Sequence, residues 1–208
     1  MTQDLRFDER TLGERELSEA AQVASRAFYD DSYFRYLFPD DTIRARVQPM
    51  IFRTQLKHIG PLGKIATIRD ESGTIVGVSA WMPPGAWPPS LRVQLAQLPG
   101  SLRAFFRQFS SLRIVGTYLR TLLKVHPKEP HWYLMLLAVD PSSQRHGVGT
   151  MLVEHGLTLA DREGVGAYLE TQEEENLAYY RRFGFELTQT LNPVAGGPPY
   201  YTMWRAAH

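Results

Sequence analysis

The chain has 208 residues, of which 43% are hydrophobic and 12% aromatic, so it can form a substantial core and is not a disordered protein. Its 23 basic and 22 acidic side chains give a net charge of +1, so its overall charge does not favour nucleic acid or an acidic partner. The absence of cysteine excludes disulfides, thiolate nucleophiles and cysteine metal sites, and agrees with a reducing, cytoplasmic location.

The N-terminal part of the chain predicts a short strand and two helices. The segment MTQDLRFDER is polar, which predicts no signal peptide, and no apolar run approaches the ~20 residues that a membrane helix needs. We predict a strand around Leu5–Phe7 and a helix over Glu14–Phe28, whose apolar residues lie on one face. After the polar and aromatic stretch AFYDDSYFRYLFPD, a second helix begins after Asp40 or Asp41 and ends at Ile59.

The middle of the chain predicts a β-hairpin followed by a helical insertion. The runs KIATIRD and TIVGVSAWM favour strands and flank a short turn, ESG. Residues 83–89, PPGAWPP, contain too many prolines and glycines for regular structure. Residues 90–126 have a helical pattern that we expect to break at Pro99-Gly100. This insertion is basic, and we expect its arginines to form a solvated face that attracts an anionic cofactor rather than to bind nucleic acid.

The C-terminal part of the chain alternates strands with helices. The nearly continuous apolar run HWYLMLLAV, at 131–139, is typical of a strand that is buried on both faces. The other predicted elements are a helix from Gly147 to Glu163, a strand at 167–171, a short helix across Glu174–Phe183, and strands around Phe185–Thr190 and Tyr200–Arg205. This order predicts one α/β domain over residues 1–208, with a mixed, mostly antiparallel twisted sheet, flanking helices and the insertion at 90–126.

The segment after the strand at 131–139 has the features of a phosphate-binding loop. In LAVDPSSQRHGVGTML, a buried strand and a proline turn lead to Gly147 and Gly149 at the start of a helix. The glycines let the backbone approach a ligand closely, and the N–H groups of the first helical turn lack partners within the helix. The P-loop pattern GxxxxGK[ST] and the Rossmann pattern GxGxxG are both absent, so neither of those nucleotide sites is predicted.

Two motifs in this region resemble those of the GNAT N-acetyltransferase superfamily. The pattern [QR]-x-x-G-x-[GA], after a strand that ends in V-x-P, is similar to its pyrophosphate loop, and NLAYYRRFGF is similar to the second half of its acetyl-CoA site. Within the superfamily, PKEPHWYLMLLAV, AYLET, NLAYY and PPYYTMWR resemble the puromycin N-acetyltransferases and their bacterial relatives. The resemblance is firm over about residues 127–205 and weaker over AFYDDSYFRYLFPD and the hairpin, and it implies an acetyl-CoA-binding core at about 131–190.

This resemblance implies transfer of an acetyl group from acetyl-CoA to an amine within a ternary complex, where strands 131–139 and 167–171 separate to admit the pantetheine arm. One main-chain N–H of the first strand would also hold the charge that develops on the thioester oxygen. The same resemblance implies that Tyr180 contacts the cofactor and protonates the leaving thiolate. The other residues that it assigns to the cofactor are Leu137, Ala138, Val139, Gln144, Arg145, His146, Gly147, Val148, Gly149, Thr150 and Asn176.

The attacking amine must first lose a proton, because an alkylamine has a pKa near ~10 and attacks only when neutral. Two candidates for the base are His131 and Tyr133, which by a period of two share one face of their strand with Leu137. The third is Glu170 on the neighbouring strand, whose alternative role is that of a structural hydrogen-bond acceptor. We favour Glu170 acting through water, since a carboxylate also helps to bind a cationic amine.

We predict that the acceptor is a small-molecule amine, such as an aminonucleoside or an antibiotic-like amine. Residues 28–38, the Trp81–Pro89 loop, the insertion and the NPVAGGPP loop would surround it, because loops on a fixed scaffold usually determine specificity. Asp30 and Asp31 could bind its charge, although we expect them to be solvated acids where a helix meets a loop.

Two other functions remain open at this stage. The chain could acetylate protein lysines or N-termini, or it could be a non-catalytic acyl-CoA-binding module that docks through its basic helices. The six histidines show no HExxH or other ligand spacing, so no metal site is predicted. The sequence leaves open whether the protein is a monomer or a homodimer.

Overall fold

The structure of the protein, a computed structural model, describes residues 5–106 and 109–208; residues 1–4 and 107–108, which the predicted domain and insertion include, lie outside the described residues. The strands are β1 Arg6–Glu9, β2 Lys64–Arg69, β3 Ile75–Met82, β4 His131–Val139, β5 Gly166–Thr171, β6 Glu186–Leu191 and β7 Tyr200–Arg205. The helices are α1 Glu14–Ala27, α2 Ser32–Leu37, α3 Asp41–Ile59, α4 Leu91–Ala104, α5 Phe109–Val125, α6 Val148–Glu163 and α7 Glu175–Arg181. In the described part of the chain, no helix is both long enough and apolar enough to cross a membrane.

The seven strands of the described residues form one open sheet in the order β1-β2-β3-β4-β5-β7-β6. Every neighbouring pair is antiparallel except β4 and β5, which are parallel. The predicted α/β fold with a mixed, mostly antiparallel sheet is therefore confirmed.

Helix α2 is an element that the sequence did not predict, since its six residues are too few to establish a helical period. It is fixed locally by its N-cap, Asp31, whose carboxylate accepts hydrogen bonds from the N–H groups of Tyr33 and Phe34, each at 3.1 Å. Phe34 and Leu37 then bury its apolar side. The polar-aromatic stretch is thus a capped helix that begins one residue after the acids.

The predicted break at Pro99-Gly100 is wrong, because α4 continues through both residues to Ala104. A proline inside a helix removes a hydrogen bond and is destabilising in isolation. Here α4 packs along α3, so closely that a Cβ on Gly100 would lie 2.4 Å from the Thr54 hydroxyl oxygen. Tertiary contact therefore outweighs the local signal for a helix end.

Helices cover both sides of the sheet. On the side we call the α1 face, α1 and α3 pack against Val78 and Leu136. On the other side, the α6 face, α6 packs against the centre of the sheet, and the ring of Trp81 occupies the space where a Cβ on Gly156 would lie. The insertion lies on the α1 face, where the Ser111 hydroxyl donates to the Leu37 carbonyl at 2.7 Å.

A β-bulge in β4 reverses the direction of its side chains. Ala80 pairs with Leu136 but the next residue, Trp81, pairs with Leu134, so β4 has one extra residue at this point. As a result Tyr133 packs on the α1 face, whereas Leu137 packs on the α6 face. The prediction that His131, Tyr133 and Leu137 share one face is therefore wrong, because a period of two does not hold across a bulge.

Strands β4 and β5 separate after a short paired segment. His131–Leu134 pairs with Gly166–Leu169, and the remaining residues of the two strands are not paired with each other. Beyond that point β4 stays bonded to β3, and β5 stays bonded to β7. The gap between them, which we call the splay, is the separation predicted for the cofactor arm.

Candidate active site

The loop between β4 and α6 has the backbone conformation of an anion-binding site. Arg145 and Gly147 both have positive φ angles, 64° and 84°, which brings successive N–H groups toward one side. The first helical hydrogen bond of α6 runs from the Met151 N–H to the Gly147 carbonyl at 3.0 Å. The N–H groups of the three residues before Met151 therefore have no acceptor within the helix and add to the positive end of its dipole.

Two glycines serve this loop for different reasons. A Cβ on Gly147 would meet nothing within 4 Å, so its φ of 84° is what favours glycine. A Cβ on Gly149 would instead lie 2.8 Å from the Tyr179 hydroxyl and 3.5 Å from Val139. The backbone at Gly149 is thus brought close to β4 and α7, where a side chain would fill the space.

The predicted loop residues differ in what they present to solvent. Gln144, Arg145 and His146 are exposed, and Gln144 also donates from Nε2 to the Val139 carbonyl at 3.4 Å. Val148 is 1% exposed, and its side chain packs beneath the sheet. Only the main-chain N–H of Val148 is placed to meet a ligand, while the three exposed residues also offer side-chain donors.

The hydrogen bonds between β3 and β4 determine which main-chain groups of β4 face the splay. The Asp140 N–H donates to the Val76 carbonyl at 2.8 Å, and in an antiparallel pair every second residue is bonded in this way. Ala138 lies two residues before Asp140, so its main-chain N–H and C=O groups also face β3. Leu137 and Val139 therefore turn their N–H and C=O groups toward the splay.

Asn176 and Tyr180 lie on α7, at the end of β5. The Asn176 side-chain amide donates to the Thr171 hydroxyl at 3.0 Å, which fixes its orientation at the mouth of the splay. Tyr180 is 8% exposed and packs on the α6 face beside Leu169. Burial, and after it the neighbouring Tyr179, raises the pKa of Tyr180, so its phenol carries its proton at neutral pH.

Glu170 is a buried carboxylate on the opposite, α1 face, with 6% of its side chain exposed. Three tyrosines, Tyr133 from β4, Tyr168 from β5 and Tyr200 from β7, lie near it. Burial, followed by the negative charge of Glu170, raises the pKa of all three hydroxyls. These tyrosines remain protonated and can act only as hydrogen-bond donors toward the carboxylate.

His126, just after α5, is a site residue that the sequence analysis missed. Its Nδ1 lies 3.8 Å from Glu170 Oε1, and its Nε2 lies 3.1 Å from the Nε2 of His131. Its position could not be read from the sequence, because it lies 44 positions before Glu170, at the end of the insertion. Within the described residues, no three histidine or carboxylate side chains are grouped closely enough to hold a metal ion.

An open cleft of about 610 Å³ lies on the α1 face. Tyr118 connects this cleft with Tyr200, which lies near Glu170: its hydroxyl donates to the Pro198 carbonyl at 2.9 Å and its ring lies 6.1 Å from that of Tyr200. The residues that line the cleft include Asp30, Arg35, Tyr36, Glu173, Gly197 and Pro198. A smaller cavity of about 230 Å³, beside β1 and β2 at the far edge of the sheet, is remote from the splay.

The cleft is lined by two carboxylates, Asp30 and Glu173, and by one guanidinium, Arg35. Glu173 accepts from the Ser32 N–H at 2.6 Å and so lies beside the N-cap Asp31. Burial, opposed by two backbone hydrogen bonds and assisted by the charge of Glu173, raises the pKa of Asp31 to about 6. A cationic ligand in this cleft would relieve the repulsion between the two acids.

Comparison with known sequences gives one family match and several relatives. The profile of the Acetyltransferase (GNAT) family matches residues 28–185. An uncharacterized N-acetyltransferase of Schizosaccharomyces pombe is 28% identical over 187 residues, which cover 85% of this chain and 73% of that protein. The peptidyl-lysine N-acetyltransferase YjaB of Salmonella typhimurium is 36% identical over 64 residues, which cover 31% of this chain and 43% of that protein.

Among solved structures, the fold is similar to a histone acetyltransferase HPA2 and related acetyltransferase from Corynebacterium glutamicum. The TM-score is 0.69 and the sequence identity 23%, with 100% of this chain and 98% of that chain covered. At this identity the likeness supports the fold and leaves the acceptor open.

Proposed function

The chain belongs to the GNAT acetyltransferase family, and we propose that it transfers an acetyl group from acetyl-CoA to the amine of a small, partly apolar molecule. One observation carries this proposal: the splay places a helix N-terminus suited to pyrophosphate and a buried carboxylate next to the same gap. The helix N-terminus fits the pyrophosphate of acetyl-CoA, the acetyl donor. The buried carboxylate fits an acceptor amine that has to lose a proton.

The residues around the splay fit acetyl-CoA. The main-chain groups of Leu137 and Val139 that face the gap would pair with the pantetheine amides as an added strand. The positive-φ loop at 144–147 and the first turn of α6 would bind the pyrophosphate. Asn176, held by Thr171, would contact the arm. The main-chain polar groups of Ala138 are turned to β3, so its contribution would be limited to shaping the gap.

Glu170 is the base that this geometry favours. Tyr133 is unsuited because burial raises the pKa of its hydroxyl, and a protonated phenol cannot accept a proton. His131 is also less suited, because neither of its ring nitrogens is free: Nδ1 donates to the Glu129 carbonyl at 2.6 Å, and Nε2 lies 3.1 Å from the Nε2 of His126. Burial also lowers its pKa. Glu170 would remove a proton from the bound ammonium, directly or through one water. Tyr180, on the side of the cofactor, would protonate the leaving thiolate.

The cleft supports a cationic acceptor with an apolar body. Asp30 and Glu173 provide negative charge at its mouth. Deeper in, the ring of Tyr118 lies 4.7 Å from that of Tyr33 and leads to Tyr200 beside Glu170. An acceptor would therefore place its reacting amine beside Glu170 and its aromatic or aliphatic part among these rings, while the carboxylates at the mouth would attract the cation as it enters.

Acetylation of a protein lysine is the second candidate. The 64-residue match to a peptidyl-lysine N-acetyltransferase favours it, and the cleft is open enough to admit an extended side chain. A lysine side chain and a small amine present the same ammonium to Glu170, so only the rest of the acceptor distinguishes the two.

The test is release of CoA thiol from acetyl-CoA with a panel of amines. The panel contains aminonucleosides including puromycin, arylalkylamines, polyamines, aminoglycosides and a lysine peptide. We expect saturable turnover with a small amine. Turnover with the peptide alone would replace the proposal by the second candidate, and no turnover despite measured acetyl-CoA binding would contradict both.

A further inference from the structure

The large apolar side chains that remain exposed are concentrated in the insertion. Among the described residues there are nine of them, and seven lie in α4, in α5 or between the two helices, with 39% to 74% of each residue exposed. These seven are Leu91, Leu95, Leu98, Phe106, Leu112, Leu119 and Leu123. Exposed apolar side chains that are grouped in this way mark an interaction surface. We propose that the insertion binds the surface of an anionic lipid bilayer through α5.

A row of leucines and a row of cations lie side by side along the exposed part of α5. At about 3.6 residues per turn, the leucines lie within about 40° of one another around the helix axis, and they are Leu112, Leu119 and Leu123. The cations lie about 100° further round the axis, and they are Arg113, Arg120 and Lys124. Another side of α5 is held to the protein, because Ser111 donates to the Leu37 carbonyl and Tyr118 donates to the Pro198 carbonyl. Both rows therefore face away from the rest of the protein.

Helix α4 adds leucines that also point away from the core. Leu91, Leu95 and Leu98 lie within about 60° of one another around its axis. The opposite side of α4 contains Gly100, where a Cβ would lie 2.4 Å from the hydroxyl oxygen of Thr54 in α3. The leucines are therefore not on the side of α4 that packs on α3, and they enlarge the exposed apolar surface of the insertion.

The insertion carries positive charge that its own sequence does not neutralise. No acidic residue occurs between Glu71 and Glu129, whereas seven arginines and lysines do. Within the described residues, no carboxylate lies within ion-pair distance of the cations of α5. The surface is therefore complementary to a partner that presents many anionic groups together.

An anionic bilayer offers a matching environment for both rows. The leucines of an amphipathic helix enter the boundary between lipid headgroups and acyl chains, while neighbouring arginine and lysine side chains reach the lipid phosphates. Helix α5 has 17 residues and exposes its leucines in one row, so it would lie in the plane of the surface rather than cross the membrane.

A second copy of the chain fits these rows less well. A symmetric contact brings the same patch of both copies together, so the cations of one α5 would face those of the other. Residues 72–128 supply no carboxylate to pair with them. An acidic protein would satisfy the charge, but it would also need a groove whose shape matches the leucines. A bilayer accommodates both rows without such a groove.

The first test is sedimentation of the full chain with lipid vesicles. We expect the protein to bind vesicles that contain phosphatidylglycerol, to bind vesicles of phosphatidylcholine alone much more weakly, and to dissociate as the salt concentration rises. Replacing the three cations of α5 by glutamine should weaken binding about 10²-fold. The matched control replaces three exposed arginines outside the insertion by glutamine and should bind nearly as tightly as the wild type; these are Arg6, Arg162 and Arg181.

A fluorescent probe tests whether the leucine row enters the bilayer. The chain has no cysteine, so Leu123→Cys and Leu187→Cys each provide a single labelling site, at leucines that are 47% and 38% exposed. With a polarity-sensitive dye at each site, we expect phosphatidylglycerol vesicles to shift the emission of labelled Leu123→Cys to shorter wavelength. The emission of labelled Leu187→Cys, in β6, should stay unchanged. Any other combination of the two results would overturn the proposal.

The remaining outcomes show what else would explain the exposed rows. Absence of binding to phosphatidylglycerol vesicles would overturn the proposal. Equal loss of binding in the α5 variant and its control would also overturn it, because attraction by overall charge would then be sufficient. A wild-type dimer that Leu119→Gln converts into monomers would replace the bilayer by a second copy of the chain. None of these results depends on which amine is acetylated, so the proposal is tested separately from the proposed function.

Discussion

Glu170 and Tyr180 lie on opposite faces of the sheet at the splay between β4 and β5. Leu169 and Tyr180 belong to the core cluster of the α6 face. Glu170 directly follows Leu169 in β5 and therefore points to the opposite, α1 face, with Tyr133 and Tyr168. The two groups to which we assign proton transfers therefore approach the gap from different sides. The carboxylate is on the side of the open cleft, and the phenol is on the side of α6 and the loop that precedes it.

Replacing Tyr180 by phenylalanine should separate binding from turnover. Acid catalysis typically contributes ~10²–10⁴ in rate, so we expect kcat to fall by that range with little change in the dissociation constant of acetyl-CoA. Both quantities can be measured, by thiol release and by calorimetric titration. Tyr201→Phe, in the same core cluster, is the control and should retain turnover. Full activity of Tyr180→Phe would remove it from the mechanism.

Gly147→Glu should abolish binding of CoA by placing a charged side chain where the pyrophosphate is expected. Gly164, at the other end of α6, offers a matched variant, because it also has a positive φ, 63°, and open space at its Cβ. Both substitutions should destabilise the fold by about 1–2 kcal/mol through the same backbone strain. Only Gly147→Glu should weaken the binding of CoA. Equal affinities of the two variants for CoA would mean that the phosphate site is elsewhere.

Replacing two helical glycines by alanine should change the free energy of unfolding in opposite directions. A Cβ on Gly156 would lie 1.9 Å from the ring of Trp81, so Gly156→Ala should lower the free energy of unfolding by about 1–3 kcal/mol or more. On Gly116 of α5 the nearest atom would be Arg120 at 3.9 Å, so Gly116→Ala should raise it by up to about 1 kcal/mol. Urea titration measures both. A stable Gly156→Ala would show that Trp81 is free to move.

The stability of the protein should depend on pH through Asp31. Because the pKa of Asp31 is raised to about 6 in the folded chain, the folded state binds more protons than the unfolded state between its usual value of 3.8 and about 6. Its contribution to stability therefore decreases as pH rises through this window. Asparagine also caps helices, so Asp31→Asn should keep the cap while removing the charge.

We expect Asp31→Asn to have a higher Tm relative to wild type at pH 7.5 than at pH 4.5, as measured by thermal unfolding. Asp40→Asn, at the exposed N-cap of α3, is the matched control and should change Tm similarly at both pH values. A Tm difference for Asp31→Asn that is the same at both pH values would contradict the buried, charged environment assigned to Asp31.

Local sequence patterns predicted most helices and strands of this fold but not the bulge in β4 or the continuation of α4 past Pro99. The run at 131–139 predicted β4, because strands buried on both faces are continuously apolar. The same run did not reveal the bulge opposite Ala80 and Trp81, since an extra residue leaves no mark in a sequence without polar alternation. Helix α4 likewise continues past Pro99, because its packing on α3 outweighs the local cost of the proline.

The sequence by itself determined the family and predicted a phosphate-binding loop, because both inferences depend on residues that are close together in the chain, from Gln144 to Gly149 and from Asn176 to Phe185. Only the tertiary structure decided what surrounds Glu170. The bulge sends Tyr133 to the α1 face, the end of the insertion brings His126 to 3.8 Å from the carboxylate, and β7 adds Tyr200. These contacts join distant parts of the chain through sheet order and helix packing, which no local periodicity encodes.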